Sequence, residues 1–176
     1  LYGYGRIGRV VADYARAFGM EIIWWSSEAG RARAKADGET VAESRAAFFG
    51  SCDVVSLHLR LTSETRGSVT ADDLGAMPPR SVLVNTSRAG LIAEGALLQA
   101  LNAGHLGAAA VDVFDFEPLT DPSDPLLSHP KMIATPHIGF VTEDEFDKQF
   151  ADIFEQVNAY AAGAPIHMIT PSVYAP

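Results

Sequence analysis

The chain has 176 residues, 48% of them apolar and 20% charged, with a formal net charge of −9. This is an ordinary globular composition, and the length suits one domain with a sizeable core or one domain plus a piece of another. The acidic balance excludes a nucleic-acid surface, no apolar run approaches the ~18 residues of a membrane span, and the single cysteine, Cys52, excludes an internal disulfide and suits a reducing, cytoplasmic compartment.

Gly3-Tyr4-Gly5-Arg6-Ile7-Gly8 fits the glycine fingerprint of a dinucleotide-binding turn. Gly3 permits the turn, Gly5 lets backbone approach a pyrophosphate, and Gly8 packs helix against strand. Ile7, Val11, Tyr14 and Phe18 recur at helical spacing up to Gly19, and the helix they predict can aim its N–H groups at phosphates. Only Leu1 and Tyr2 precede the turn, so the chain is expected to begin inside a β-strand.

A strand, Glu21 to Trp25, follows, and then an Ala/Arg/Glu-rich helical stretch to about Phe49. Asp53 to Leu59 reads as a strand buried on both faces, because apolar residues do not alternate along it. A short helix spans Ala71 to Ala76, and Pro78-Pro79 stops it ahead of the strand Ser81–Asn85. Leu97, Leu98 and Leu101 mark a helix ended by Gly104, followed by a strand from Gly107 to Val113. The loop from Glu117 carries Pro118, Pro122, Pro125 and Pro130, and the strand Met132–Thr135 succeeds it. Thr142-Glu143-Asp144-Glu145 fits a capping box, and Phe146, Phe150, Ile153, Val157 and Tyr160 form an apolar stripe on a long helix ended by Gly163. The tail Ile166 to Pro176 reads as extended.

Alternating strands and helices predict an α/β fold, a Rossmann-type doubly wound parallel sheet. Counted from the strand ahead of the glycine turn, Ser81–Asn85 is the fourth. In the order 3-2-1-4-5-6 that places the turn and Arg88 at one crevice. Three polar residues then stand just past three apolar runs: Arg88, Glu117 and His137. Ligands bind outside the carboxyl ends of parallel strands, and a guanidinium, a carboxylate and an imidazole can together grip a carboxylate-bearing substrate and move a proton. Taken singly, each has an ordinary reading as a surface arginine, a turn acid or a histidine on a bend. The repeated placement is what argues for chemistry.

The motifs Gly3–Gly8, Asp-Val-Val-Ser-Leu-His-Leu at 53–59, Leu-Thr-Ser-Glu-Thr-Arg-Gly at 61–67, Asn-Thr-Ser-Arg-Ala-Gly at 85–90, Asp-Val-Phe-Asp-Phe-Glu-Pro at 112–118 and Thr-Pro-His-Ile-Gly at 135–139 resemble the D-isomer-specific 2-hydroxyacid dehydrogenases. That family includes phosphoglycerate and glyoxylate/hydroxypyruvate reductases. The resemblance implies Arg88, Glu117 and His137 as catalytic residues. It implies cofactor contacts at Gly3, Gly5, Arg6, Ile7, Gly8, Thr86, Ser87, Arg88, Asp112, His137 and Gly139, with Ser26 at the end of the second strand. It further implies NAD or NADP as cofactor, a small 2-oxo or 2-hydroxy acid as substrate, a homodimer, and a substrate domain largely missing from this chain. Residues 1–163 would be the dinucleotide-binding domain and 164–176 a tail returning to the missing one.

The chain departs from the family pattern at three places. Ser26 stands where an NAD-using member commonly has Asp. This removes repulsion toward a 2′-phosphate, with Arg31 a candidate partner, while Glu28 is an alternative acidic acceptor. Because Arg31, Arg33 and Lys35 sit in an alanine-rich helix that looks solvated, NAD with weak discrimination against NADP is expected. Arg60 replaces a usual proline, and Ala89 a frequent glycine. His58 reads as a satisfied core histidine, and no histidine set has metal spacing, so no metal is expected. An NAD(H)-sensing corepressor-like interaction protein of the same family is the alternative function. Formate dehydrogenase fits less well, because the partner of its histidine is typically glutamine and this chain has Glu117.

Overall fold

Val54–Leu57 (β1), Val82–Asn85 (β2), Ala108–Val111 (β3) and Met132–Ala134 (β4) pair in parallel in that order in the computed structural model, which describes residues 1–173. Val55, Leu57 and Leu83 are fully buried, as expected of strands covered on both faces. They form one core with Phe48, Phe49, Leu74, Leu91, Leu97, Leu101 and Leu106.

Beyond β1 the sheet continues as single bridges. Tyr2 lies parallel to Leu57 on one side and to Trp25 on the other, and Trp24 pairs with Val41. Two expectations are corrected here. The strand beside the glycine turn is β1, one place earlier than the sequence count suggested, because Val41 supplies an extended segment of its own. The helical stretch from Trp25 to Phe49 is accordingly broken into two helices, Glu28–Ala36 (α2) and Arg45–Ser51 (α3), with Gly38 at φ +79 ending the first. Such a φ is cheap only for glycine. Ser27 and Ser44 cap the two helices, each accepting a backbone N–H in the first turn.

The first helix, Arg6–Ala17 (α1), turns the opposite face to the one its apolar spacing suggested. Ile7, Tyr14 and Phe18 are 73%, 67% and 86% exposed, while Gly8 and Ala12 face the core. Small residues win that face because the helix packs very close: a Cβ on Gly8 would lie 2.7 Å from the Gly3 carbonyl oxygen and 3.3 Å from the Trp24 ring.

Ala71–Ala76 (α4) and Ala96–Asn102 (α5) form as the sequence predicts. Thr70 and Asp73 cap α4 reciprocally, Thr70 Oγ1 accepting from the Asp73 N–H and Asp73 Oδ2 from the Thr70 N–H. Arg45 ties α3 to this cap. It donates to both Asp73 oxygens at 2.7 Å, to the Tyr2 hydroxyl at 2.8 Å and to the Ser68 carbonyl, and it lies over the Tyr2 and Phe49 rings. Burial alone would push the Asp73 carboxyl up, but Arg45 and the Thr70 donors outweigh it and hold it below the usual carboxylate range.

The chain divides into two compact units, Leu1–His137 and Ile138–Pro176. The second consists mainly of the helix Glu143–Ala161 (α6), whose Glu145 N–H is capped by Thr142 Oγ1, with Gly163 at φ +74 beyond its end. Its apolar stripe is exposed, from 41% at Phe150 to 68% at Tyr160. The tail differs from the extended expectation by a 3-10 turn at Pro171–Val173, and residues 174–176 lie outside the described residues. Among the described residues no helix is long and apolar enough to cross a membrane.

Candidate active site

The glycine turn is built as a dinucleotide turn requires. Gly3 has φ +116, and a Cβ there would lie 2.4 Å from the His58 carbonyl oxygen, so only glycine fits beside the end of β1. Gly5 has the opposite character. A Cβ on it would meet nothing within 4 Å, and it caps α1 without any side-chain hydrogen bond. The first turn of α1 holds no acidic side chain. The N–H groups of a helix's first turn lack intrahelical partners, which suits an anion approaching the backbone beside Gly5. Arg6 and Ile7 are exposed at that turn.

Past the carboxyl ends of β1 and β2 opens a cleft of about 440 Å³, lined by Ile7, His58, Arg60, Thr86, Ser87 and Arg88. Asn85, 1% exposed, holds the loop that lines it: it donates to the Arg88 carbonyl at 3.0 Å and accepts the Ser87 N–H at 3.0 Å. A buried amide at a strand end is the sequence signal for this positioning role, and the reading of motifs alone passed over it. Ser87 Oγ donates to the Leu59 carbonyl at 2.6 Å, locking the two loops together. His58 is half-buried and hydrogen-bonded to Ser56 at 2.9 Å, and burial pushes its imidazole below its ordinary pKa.

A second cavity, of about 240 Å³, holds Arg66, Arg88, Gly90, Glu117 and His137. Arg88 lines both spaces, and its Nη1 donates to the Ser87 carbonyl at 2.6 Å. Glu117 Oε2 lies 2.5 Å from His137 Nδ1, and Glu117 Oε1 accepts the Phe114 N–H at 2.8 Å. These two contacts hold the Glu117 carboxyl below the usual range, the His137 hydrogen bond contributing most. His137 sits at φ +55, a left-handed conformation uncommon for a side-chain-bearing residue and typical of functional positions. Arg66 and Gly90 were not singled out from sequence. A Cβ on Gly90 would lie 2.9 Å from Arg66 Nη1, so the glycine makes room for that guanidinium.

Two further expected cofactor contacts are less open. Ser26 is 8% exposed and its Oγ accepts the Tyr4 N–H at 3.3 Å. Asp112 is 3% exposed and accepts from Thr135 Oγ1 at 2.5 Å. Gly139 belongs to the second unit.

The parallel sheet, the glycine turn and the paired carboxylate and imidazole past the strand ends define a dinucleotide-binding domain of a dehydrogenase type. The family model described as "D-isomer specific 2-hydroxyacid dehydrogenase, NAD binding domain" matches residues 1–139, and the chain belongs to that family. D-3-phosphoglycerate dehydrogenase of Bacillus subtilis is 37% identical over 166 residues, covering 94% of this chain and 31% of the relative. Glyoxylate reductase of Aeropyrum pernix is 37% identical over 165 residues, covering 93% and 48%. Among solved structures, an oxidoreductase of Ralstonia solanacearum is 43% identical with a TM-score of 0.92, covering 99% of this chain and 51% of its own. The chain thus spans about half or less of the length of these relatives.

Proposed function

We propose that the intact protein interconverts a small D-2-hydroxy acid and its 2-oxo acid, with Arg88, Glu117 and His137 as the catalytic residues. The observation that carries this reading is the 2.5 Å contact between Glu117 and His137 in a cavity shared with Arg88. When bound, a nicotinamide dinucleotide supplies the hydride chemistry. The glycine turn and the N–H groups opening α1 fit its pyrophosphate, and Ile7, Thr86, Ser87 and Asp112 would help hold the rest.

Arg88 would bind the substrate carboxylate, because its planar fork matches two oxygens at once, and polarise the 2-oxo group. His137 Nε2 would donate a proton to that oxygen during reduction and take it back during oxidation. Glu117 accepts from Nδ1, which fixes the tautomer with Nε2 toward the substrate and stabilises the imidazolium. Family membership supports a homodimer in the cytoplasm as the working form. The reading is tested by mixing the intact protein with reduced dinucleotide and glyoxylate, hydroxypyruvate or another small 2-oxo acid, and following loss of nicotinamide absorbance. Consumption with formation of the D-hydroxy acid is expected. Cofactor binding with no turnover of any 2-oxo acid would favour the corepressor-like alternative.

A further inference from the structure

We propose that the corner between the glycine turn and residues 24–27 is a subsite for a 2′-phosphate, so that the intact protein selects the 2′-phosphorylated dinucleotide over the unphosphorylated one. The inference rests on the dinucleotide-binding reading above and names the cofactor that it leaves open. In a doubly wound fold the end of the second strand faces the adenosine ribose. A carboxylate there accepts from the 2′-hydroxyl, whereas an arginine accommodates a 2′-phosphate. Trp25 is that strand end, since it pairs with Tyr2, and the hydrogen bond from the Tyr4 N–H to Ser26 Oγ joins it to the glycine turn.

Ser26 offers the ribose nothing. It is 8% exposed, its hydroxyl is occupied by Tyr4, and a Cβ on Gly30 would fall 2.2 Å from that Oγ, so α2 seals it in. Around it stand three guanidiniums. Arg31 is half-buried, lies 4.3 Å over the Trp25 ring and donates to the Ser26 carbonyl at 2.6 Å. Arg33 donates to the Tyr4 carbonyl at 3.4 Å, and Arg9 lies 5.7 Å over the Tyr4 ring. A solvated helix face would leave Arg31 extended into water, but here it is folded back onto the strand end.

Among the described residues none of the three forms an ion pair, whereas Arg16 and Arg45 each have a carboxylate partner. Three carboxylates are near: Asp37 accepts the Tyr4 hydroxyl at 2.5 Å, Glu39 accepts the Trp24 indole N–H at 2.9 Å and is paired with Arg16, and Glu28 is exposed at the head of α2. In a chain with a net charge of −9, three guanidiniums converging on one corner without an ion-pair partner among the described residues match a phosphate. Each guanidinium has five N–H donors and spends only one, or in Arg9 none, on a backbone carbonyl, leaving the others for phosphate oxygens.

Calorimetric titration of the intact protein with NADPH, NADH, 2′-phospho-ADP-ribose and ADP-ribose tests this without turnover. The phosphorylated member of each pair is expected to bind at least about tenfold tighter, with the gap narrowing as salt rises. Arg31→Ala should close most of the gap while leaving NADH affinity within about threefold. Arg33→Ala, at an exposed position where misfolding is not expected, should close part of it and melt as wild type does. Equal affinities, tighter NADH, or an Arg31→Ala variant that weakens both dinucleotides alike would overturn the subsite. Failure of all four ligands to bind would overturn the dinucleotide-binding reading itself, and the subsite with it.

Discussion

Glu117 and His137, twenty residues apart in sequence, meet at 2.5 Å with the Glu117 carboxylate anchored from behind by the Phe114 N–H. The carboxylate therefore stays ionised to lower pH than an ordinary glutamate, and it does so by binding the imidazole that the proposed proton transfer uses. Replacing His137 with Asn should lower kcat by roughly 10²–10⁴-fold, the usual worth of a positioned acid–base, with dinucleotide affinity little changed. Near-normal kcat would remove His137 from the mechanism. Glu117→Gln leaves the imidazole without its anionic hydrogen-bond partner, so kcat should fall by about tenfold or more while dinucleotide affinity is little changed. Unchanged turnover would make the contact between Glu117 and His137 a structural one.

Arg88→Lys retains the charge but loses the planar fork. Steady-state kinetics should show KM for the 2-oxo acid raised and kcat lowered together, because the arginine is read as touching both the carboxylate and the reacting oxygen. Unaltered kinetics would make Arg88 a bystander on the wall of the two cavities.

Gly5→Ala separates a ligand-driven glycine from a fold-driven one. A Cβ there has nothing within 4 Å, and the backbone is at φ −123, which alanine adopts freely. The variant should melt within about 2 °C of wild type, since poorer capping and reduced unfolded-state entropy offset one another. Dinucleotide affinity should nonetheless fall by about tenfold or more, because the methyl occupies the space where a pyrophosphate reaches the backbone. Retained affinity would show that the pyrophosphate does not cross Gly5.

The Arg45–Asp73 pair should govern acid stability. The folded-state pKa of Asp73 is depressed relative to its ordinary 3.8, so its contribution is present above that value and is lost as pH falls through the lower, folded one. Denaturant midpoints should drop for wild type below about pH 4, and the Asp73→Asn variant should lose less over that interval. At neutral pH Asp73→Asn should cost about 2 kcal/mol, below the figure for a fully buried pair because the Arg45 side chain is 35% exposed. A variant as stable as wild type at pH 7 would mean that Arg45 finds equal partners in Tyr2 and Ser68.

Element types were legible in the sequence where periodicity and breakers agreed. The helix Ala71–Ala76 ends ahead of the Pro78-Pro79 pair that the sequence marks as its stop, and β2 and β3 lie within their apolar runs. Faces were less legible. Ile7, Tyr14 and Phe18 have the spacing of a core stripe and point outward, because the approach of α1 to Trp24 and Gly3 admits only Gly8 and Ala12. The bridge between Trp24 and Val41 was missed because Glu39 to Val41 is too short and too polar to carry a strand pattern of its own.

By itself the sequence determined the class of fold and the glycine turn, and it put forward Arg88, Glu117 and His137 as candidates. These follow from local rules: φ-permissive glycines, alternating apolar runs, and polar residues set just past strand ends. Only the tertiary structure decided what stands next to what. It put β1 rather than β2 beside Tyr2, set Arg88 on the wall of two cavities, turned the Ser26 hydroxyl inward and folded Arg31 back over Trp25. An arginine in an alanine-rich helix carries no local sign of its direction. That direction is fixed by an indole six residues earlier and a carbonyl five residues earlier, and both come within reach only when the strand end and α2 pack together.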